Sequence, residues 1–155
     1  MDTPQHTKKY LAIDPGASGG LAWRTSEGTP KAQKMPETEG DILSLLRGFK
    51  HMETTVILEE VGGYVGKAQP GSAMFVFGRN TGFLIGAIMA LGFRLEMVRP
   101  QTWQKNLGIG NSRSCASKSE WKNKLKALAQ RKFPELTITL ATADAALILD
   151  YAESL

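Results

Sequence analysis

The stretch Leu11-Ala12-Ile13-Asp14-Pro15-Gly16-Ala17-Ser18-Gly19-Gly20-Leu21-Ala22-Trp23 does most to limit what this chain can fold into. The run from Tyr10 to Ile13 is short and apolar, and reads as a central strand. It ends in a carboxylate. Pro15 and Gly16 stop it, Gly19-Gly20 permit the positive φ of a turn, and Leu21-Ala22-Trp23 forms the return strand of a hairpin. Asp14 therefore stands at a strand end, beside a backbone turn able to approach a phosphate. Two readings of it are open. It is a metal-ligating carboxylate, or it starts the turn with its own side-chain oxygen, as aspartates in Asx turns do.

A length of 155 residues suits one domain with a real core. Apolar residues make up 42% and charged residues 22%, an ordinary soluble globular composition. No apolar stretch reads as long enough to span a bilayer. Met1 to Lys9 is polar, without the apolar core of a secretory signal, so the expected location is the cytoplasm. Cys115 stands alone, which rules out an internal disulfide and a cysteine-cluster zinc site. His6 and His51 are too few for a histidine-based metal site. The formal net charge of +4 leans toward a polyanionic partner.

Residues 1–9 read as a flexible tail and 10–155 as a single domain. Strands are expected over 10–14, 20–24, 31–35, 54–58 and 93–98. Helices are expected over 41–49, 73–91, 117–133 and 141–152, with a short one from Arg99 to about Leu107. Ser117-Lys118-Ser119-Glu120 has the spacing of a capping box. Val61 to Ser72, with four glycines and Pro70, reads as a mobile loop, and Gly108 to Ser117 as a second. Gly78, Gly82 and Gly86 share one helix face, where another backbone should approach closely; the sheet of the same subunit and a second copy of the chain are both candidates. The coarse order β, β, β, α, β, α, β, α, α implies an α/β domain with a mixed central sheet.

Three carboxylates now share a description. Asp14 ends the first strand, Glu59 ends the strand of residues 54–58, and Asp144 sits in the first turn of the last helix. Ligands of α/β sheets gather beyond strand ends and near helix N-termini. Acids converging there on a basic protein point to a hard divalent cation shared with substrate phosphates. Glu59 and Glu60 point to opposite sheet faces, so one of them is the ligand.

Five pieces in series resemble the RNase H/integrase-like nuclease superfamily, and within it the RuvC-like Holliday-junction resolvases of the compact phage type. They are Ala12-Ile13-Asp14-Pro15-Gly16 with Ser18-Gly19-Gly20; Ile57-Leu58-Glu59-Glu60-Val61; the loop and helix from Gly71 to Gly92; Val98 to Lys105; and Thr142-Ala143-Asp144-Ala145-Ala146-Leu147-Ile148. The resemblance implies an RNase H-like mixed sheet flanked by helices. It also implies Mg²⁺-dependent cleavage of four-way DNA junctions by a homodimer, with Mn²⁺ able to substitute. Asp14, Glu59 and Asp144 take the metal-binding positions; Glu59 is preferred to Glu60 because the family's acid directly follows the apolar run. The chain departs from the pattern at Ala141, where such enzymes usually carry another acid. Asp150, six residues past Asp144, lies about 240° around the helix and cannot replace it.

Lys67, Arg79, Arg99, Lys105, Arg113, Lys118 and Lys122 become candidates for phosphate contacts, and Phe75 or Phe77 for stacking on an unpaired base. Trp103 and Trp121 read as core residues. Two other functions compete: a branched-DNA binding protein that has lost catalysis, favoured by Ala141, and a sugar-kinase/actin-type ATPase, suggested by Asp-Pro-Gly-Ala-Ser-Gly but needing roughly twice this length. Cleavage preference and any helicase partner are left open.

Overall fold

Leu11, Ala12 and Ile13 are fully buried although their side chains alternate between opposite faces. A strand covered on both faces demands helices on both sides of its sheet. The computed structural model, which describes residues 8–62 and 71–155, has that architecture. Five strands run in the order β3-β2-β1-β4-β5: β1 (Lys9–Asp14), β2 (Gly20–Arg24), β3 (Pro30–Lys34), β4 (Thr54–Glu59) and β5 (Arg94–Val98). The β1–β2 and β2–β3 pairs are antiparallel, and the β1–β4 and β4–β5 pairs are parallel. The sheet is therefore mixed, as expected.

Leu11, Ile13, Leu21, Val56 and Leu58 face one side, where α1 (Glu39–Arg47) and α2 (Gly71–Ala90) bring Ile42, Leu46, Leu84 and Ile88. Ala12, Ala22 and Ile57 face the other side, with α3 (Pro100–Gln104), α4 (Lys118–Lys132) and α5 (Ala143–Glu153). On that side small residues meet small residues. Ala12 and Ala22 lie under Ala143, Ala145, Ala146 and Ala152, so α5 packs close against β1 and β2. Local chemistry sets the helix starts. Thr38 Oγ1 accepts from Asp41 N–H at α1, and Ser117 Oγ accepts from Glu120 N–H at α4, both at 3.1 Å. Glu120 completes the second half of the box one residue early, accepting from Ala116 N–H at 2.8 Å.

Several expectations need correcting. α2 starts at Gly71, so the loop ends before it; residues 63–70 lie outside the described residues. The short helix expected from Arg99 to about Leu107 forms as α3, one turn led by Pro100 that ends at Gln104. A 3₁₀ turn, Ser112–Ser114, sits within the second loop. α5 starts at Ala143, two residues late, since Thr142 Oγ1 accepts from Thr139 N–H in the preceding turn. Gly19 and Gly20 do not take positive φ; Gly16 does, at +100°. α2 is, by length and composition alone, long and apolar enough to cross a bilayer, contrary to the sequence reading. Its three glycines hide this from a count of apolar side chains, and here the helix packs Leu84 and Ile88 against the sheet.

Candidate active site

The register of β1 and β4 brings the first two acids together. Ile13 pairs with Leu58 in the parallel ladder, so Asp14 and Glu59 leave adjacent strands at the same level. The Asp14 turn is closed by Gly19 N–H donating to the Gly16 carbonyl at 2.9 Å. A Cβ on Gly19 would collide with the Asp14 carbonyl, and one on Gly20 would lie 2.5 Å from the Ala141 carbonyl. Gly19 therefore lets the turn close on itself, and Gly20 lets the chain before α5 press against the hairpin, which delivers Asp144 to the same pole. From the other layer, Asn80 Oδ1 accepts from Gly16 N–H at 2.7 Å. The Phe77 ring lies against Gly16.

The three acids repel one another in a poorly hydrated place. Glu59 is only 6% exposed. Burial, with the Asp144 charge adding to it, pushes its pKa up to about 7, against the pull of the Trp103 indole and Lys122. Asp14 is raised well above the ordinary aspartate range, first by burial, then by the charges of Asp144 and Glu59. Asp144 is raised by burial, and Lys122 opposes the shift. Lys122 Nζ lies 4.0 Å from Asp144 Oδ2.

Three shielded acids with raised proton affinity suit a hard divalent ion by their donor chemistry: every donor is oxygen, and every one is anionic once ionised. Among the described residues, no three such side chains already form a closed ligand cluster. Glu59 Oε2 is instead held by Trp103 Nε1–H at 2.6 Å.

The remaining candidates separate cleanly. Glu60 is exposed and faces Arg99, Nε to Oε2 3.8 Å. Asp150 pairs with Lys132 at 3.0 Å, away from Asp144. Thr142 is buried, and its hydroxyl bonds Thr139. Arg79 is paired with Glu39 at 2.8 Å. Lys105, Arg113 and Lys118 are exposed, as is Phe75 at 69%. Lys67 lies outside the described residues. Trp103 and Trp121 are buried in the core, as expected. The reach of Trp103 to Glu59, and of Asn80 and Phe77 to the Asp14 turn, escaped the sequence; each spans tens of residues, and no local pattern announces it.

No family model matches the chain, and no curated protein matches its sequence. Solved structures do. Thermus thermophilus RuvC in complex with a Holliday junction substrate superposes with a TM-score of 0.60 at 17% identity, covering 94% of this chain and 93% of that one. A second T. thermophilus RuvC structure gives 0.57 at 18% identity, over the same shares. The chain thus has the RuvC-like form of the RNase H-like fold.

Proposed function

We propose that this RuvC-like chain is an endonuclease selective for four-way DNA junctions, hydrolysing phosphodiesters with Mg²⁺ and acting as a homodimer. The observation that carries this reading is the convergence of Asp14, Glu59 and Asp144, from β1, β4 and α5, on one pole of the sheet with raised proton affinities. One of the structures it resembles is a complex with a Holliday junction.

Asp14, Glu59 and Asp144 would hold the cation, with Mn²⁺ able to replace Mg²⁺. When bound, the ion supplies polarisation of the attacking water and charge neutralisation at the leaving 3′-oxygen. The chain does the rest. The Gly16 turn and the end of β4 fix two carboxylates on adjacent strands, while the close seat of α5 fixes the third. Lys122 brings a positive charge beside Asp144, where a phosphate would approach. Lys118 lies one turn earlier on α4, on the same face as Lys122, and extends that positive track. Arg99, Lys105 and Arg113 add backbone contacts that position the DNA rather than read it. Phe75, exposed on α2, would offer a ring for stacking on an unpaired base.

The exposed face of α2 supplies the dimer contact. A Cβ at Gly78, Gly82 or Gly86 would meet nothing within 4 Å. Among the described residues the subunit's own sheet does not fill the stripe, which supports a second copy of the chain as its partner. A two-fold dimer also matches the two symmetric cuts a junction needs.

Ala141 favours a second reading, a junction-binding protein without cleavage. Incubating the protein with labelled four-way junction, linear duplex and single strand, with and without Mg²⁺, decides between them. The endonuclease reading expects metal-dependent nicks in the junction alone; selective binding without nicks would leave only the second reading.

A further inference from the structure

We infer that Trp103 is a positioning residue of this site: its indole N–H fixes the carboxylate of Glu59 in the orientation that receives the cation. The inference rests on the metal-dependent reading above.

Trp103 is fully buried, and its position is set from two directions. Val98 pairs with Glu59 across the β4–β5 ladder, and Glu60 N–H donates to the Val98 carbonyl at 2.7 Å. Arg99 caps α3 and Pro100 starts it, so only Arg99 to Thr102 separate the end of the ladder from Trp103. The ring itself is locked in the core shared with α4 and α5. An indole N–H can donate and never accept, so it favours an ionised, metal-ready partner over a protonated one. Its partner is one oxygen, Glu59 Oε2, at 2.6 Å. Among the described residues, the second carboxylate oxygen receives no N–H donor and stays available to a cation. A glutamate has three side-chain torsions to order; a rigid donor does that ordering before the ion arrives. Donors that orient ligands in this way typically matter ten- to hundredfold in metal affinity.

The test uses the full-length ¹⁵N-labelled protein and MgCl₂ as the only added ligand. The three tryptophans, Trp23, Trp103 and Trp121, give three indole N–H signals. Trp23→Phe and Trp121→Phe identify two of them and leave the third. The Trp103 signal should exchange slowly with solvent and move on Mg²⁺ addition, while the others hold still. Glu59→Gln should abolish that movement. In calorimetry with MnCl₂, folded Trp103→Phe should bind about ten- to hundredfold more weakly. Trp121→Phe, which removes a buried indole from the same core without touching Glu59, should bind like the wild type. The spectra do not depend on the Trp103 variant folding. A Trp103 signal that stays put while the amides of Asp14 and Asp144 move would overturn the inference and leave the metal site standing. So would wild-type Mn²⁺ affinity in folded Trp103→Phe. No metal response anywhere would bring down the endonuclease reading and this inference together.

Discussion

Glu59 and Glu60 are adjacent in the chain and have opposite surroundings: one is 6% exposed and bonded to an indole, the other lies open beside Arg99. Glu60→Gln should therefore leave junction cleavage within about twofold, while Glu59→Gln, Asp14→Asn or Asp144→Asn should cut it more than roughly a hundredfold, beyond what outer-sphere changes at metal sites cost. Junction affinity of these three variants should hold or improve, since each removes a charge that repels phosphate. Gel-shift and nicking assays on the same preparations check both halves; full cleavage by folded Asp14→Asn would end the site assignment. Proton affinity supplies a separate check. The folded Glu59 holds its proton up to about pH 7, whereas an unfolded chain releases it near the ordinary glutamate value, and Asp14 and Asp144 shift the same way. The native state thus binds more protons in that window, so the contribution is fully present below the unfolded values and is lost as pH rises to about 7. In EDTA, Tm should fall across this window, Asp14→Asn should flatten the fall, and Mg²⁺ should restore Tm at pH 8. Identical slopes for wild type and Asp14→Asn would count against a coupled acid cluster. The places of Asp14, Glu59 and Asp144 in the fold were legible in the sequence because each acid follows an apolar run or opens a helix. Trp103, Asn80 and Phe77 were not, because their partners lie on other elements.

At the level of elements, α2 is the exception among the helices. Only Leu84 and Ile88 of its twenty residues are buried, while Phe75, Val76 and Met89 are exposed. Glycine costs a helix interior about 1 kcal/mol relative to alanine, and among the described residues the space at Gly78, Gly82 and Gly86 is open. Replacing all three by alanine should thus stabilise the monomer by about 2–3 kcal/mol and weaken self-association, because close backbone approach is lost. Thermal melts and sedimentation velocity should move in opposite senses; stabilisation with unchanged association would clear this face of an interface role. Strand positions could be read from sequence because β1 and β4 are buried on both faces and carry unbroken apolar runs. The edge strand β3, with Lys31, Gln33 and Lys34, was found mainly from its bounding turns. The roles of Gly19 and Gly20 were misread. Both a positive-φ turn and a tight contact select glycine; the Asp14 carbonyl crowds Gly19 and the Ala141 carbonyl crowds Gly20, and neither position shows in the local sequence.

For the whole molecule, the net positive charge of +4 and the proposed two-fold assembly predict selectivity with a measurable ionic signature. Four-way junction should outcompete linear duplex of the same sequence, and log affinity should fall against log salt by about 0.9 for each phosphate neutralised. Competition in which duplex performs as well as junction would contradict this. The contact of α2 with the Asp14 turn adds a thermodynamic requirement. Asn80 and Phe77 join the helix to Gly16, so the same helix carries the open glycine face and braces the turn that aims a carboxylate. If covering that face steadies the turn, subunit association must tighten ion binding, and reciprocity obliges the ion to tighten association by the same factor. The dimer dissociation constant should therefore be lower in Mg²⁺ than in EDTA, and Asn80→Ala should shrink the difference. Such a molecule would arm itself as it assembles, and a lone subunit would be slow to cut DNA that offers no second strand to cleave in step.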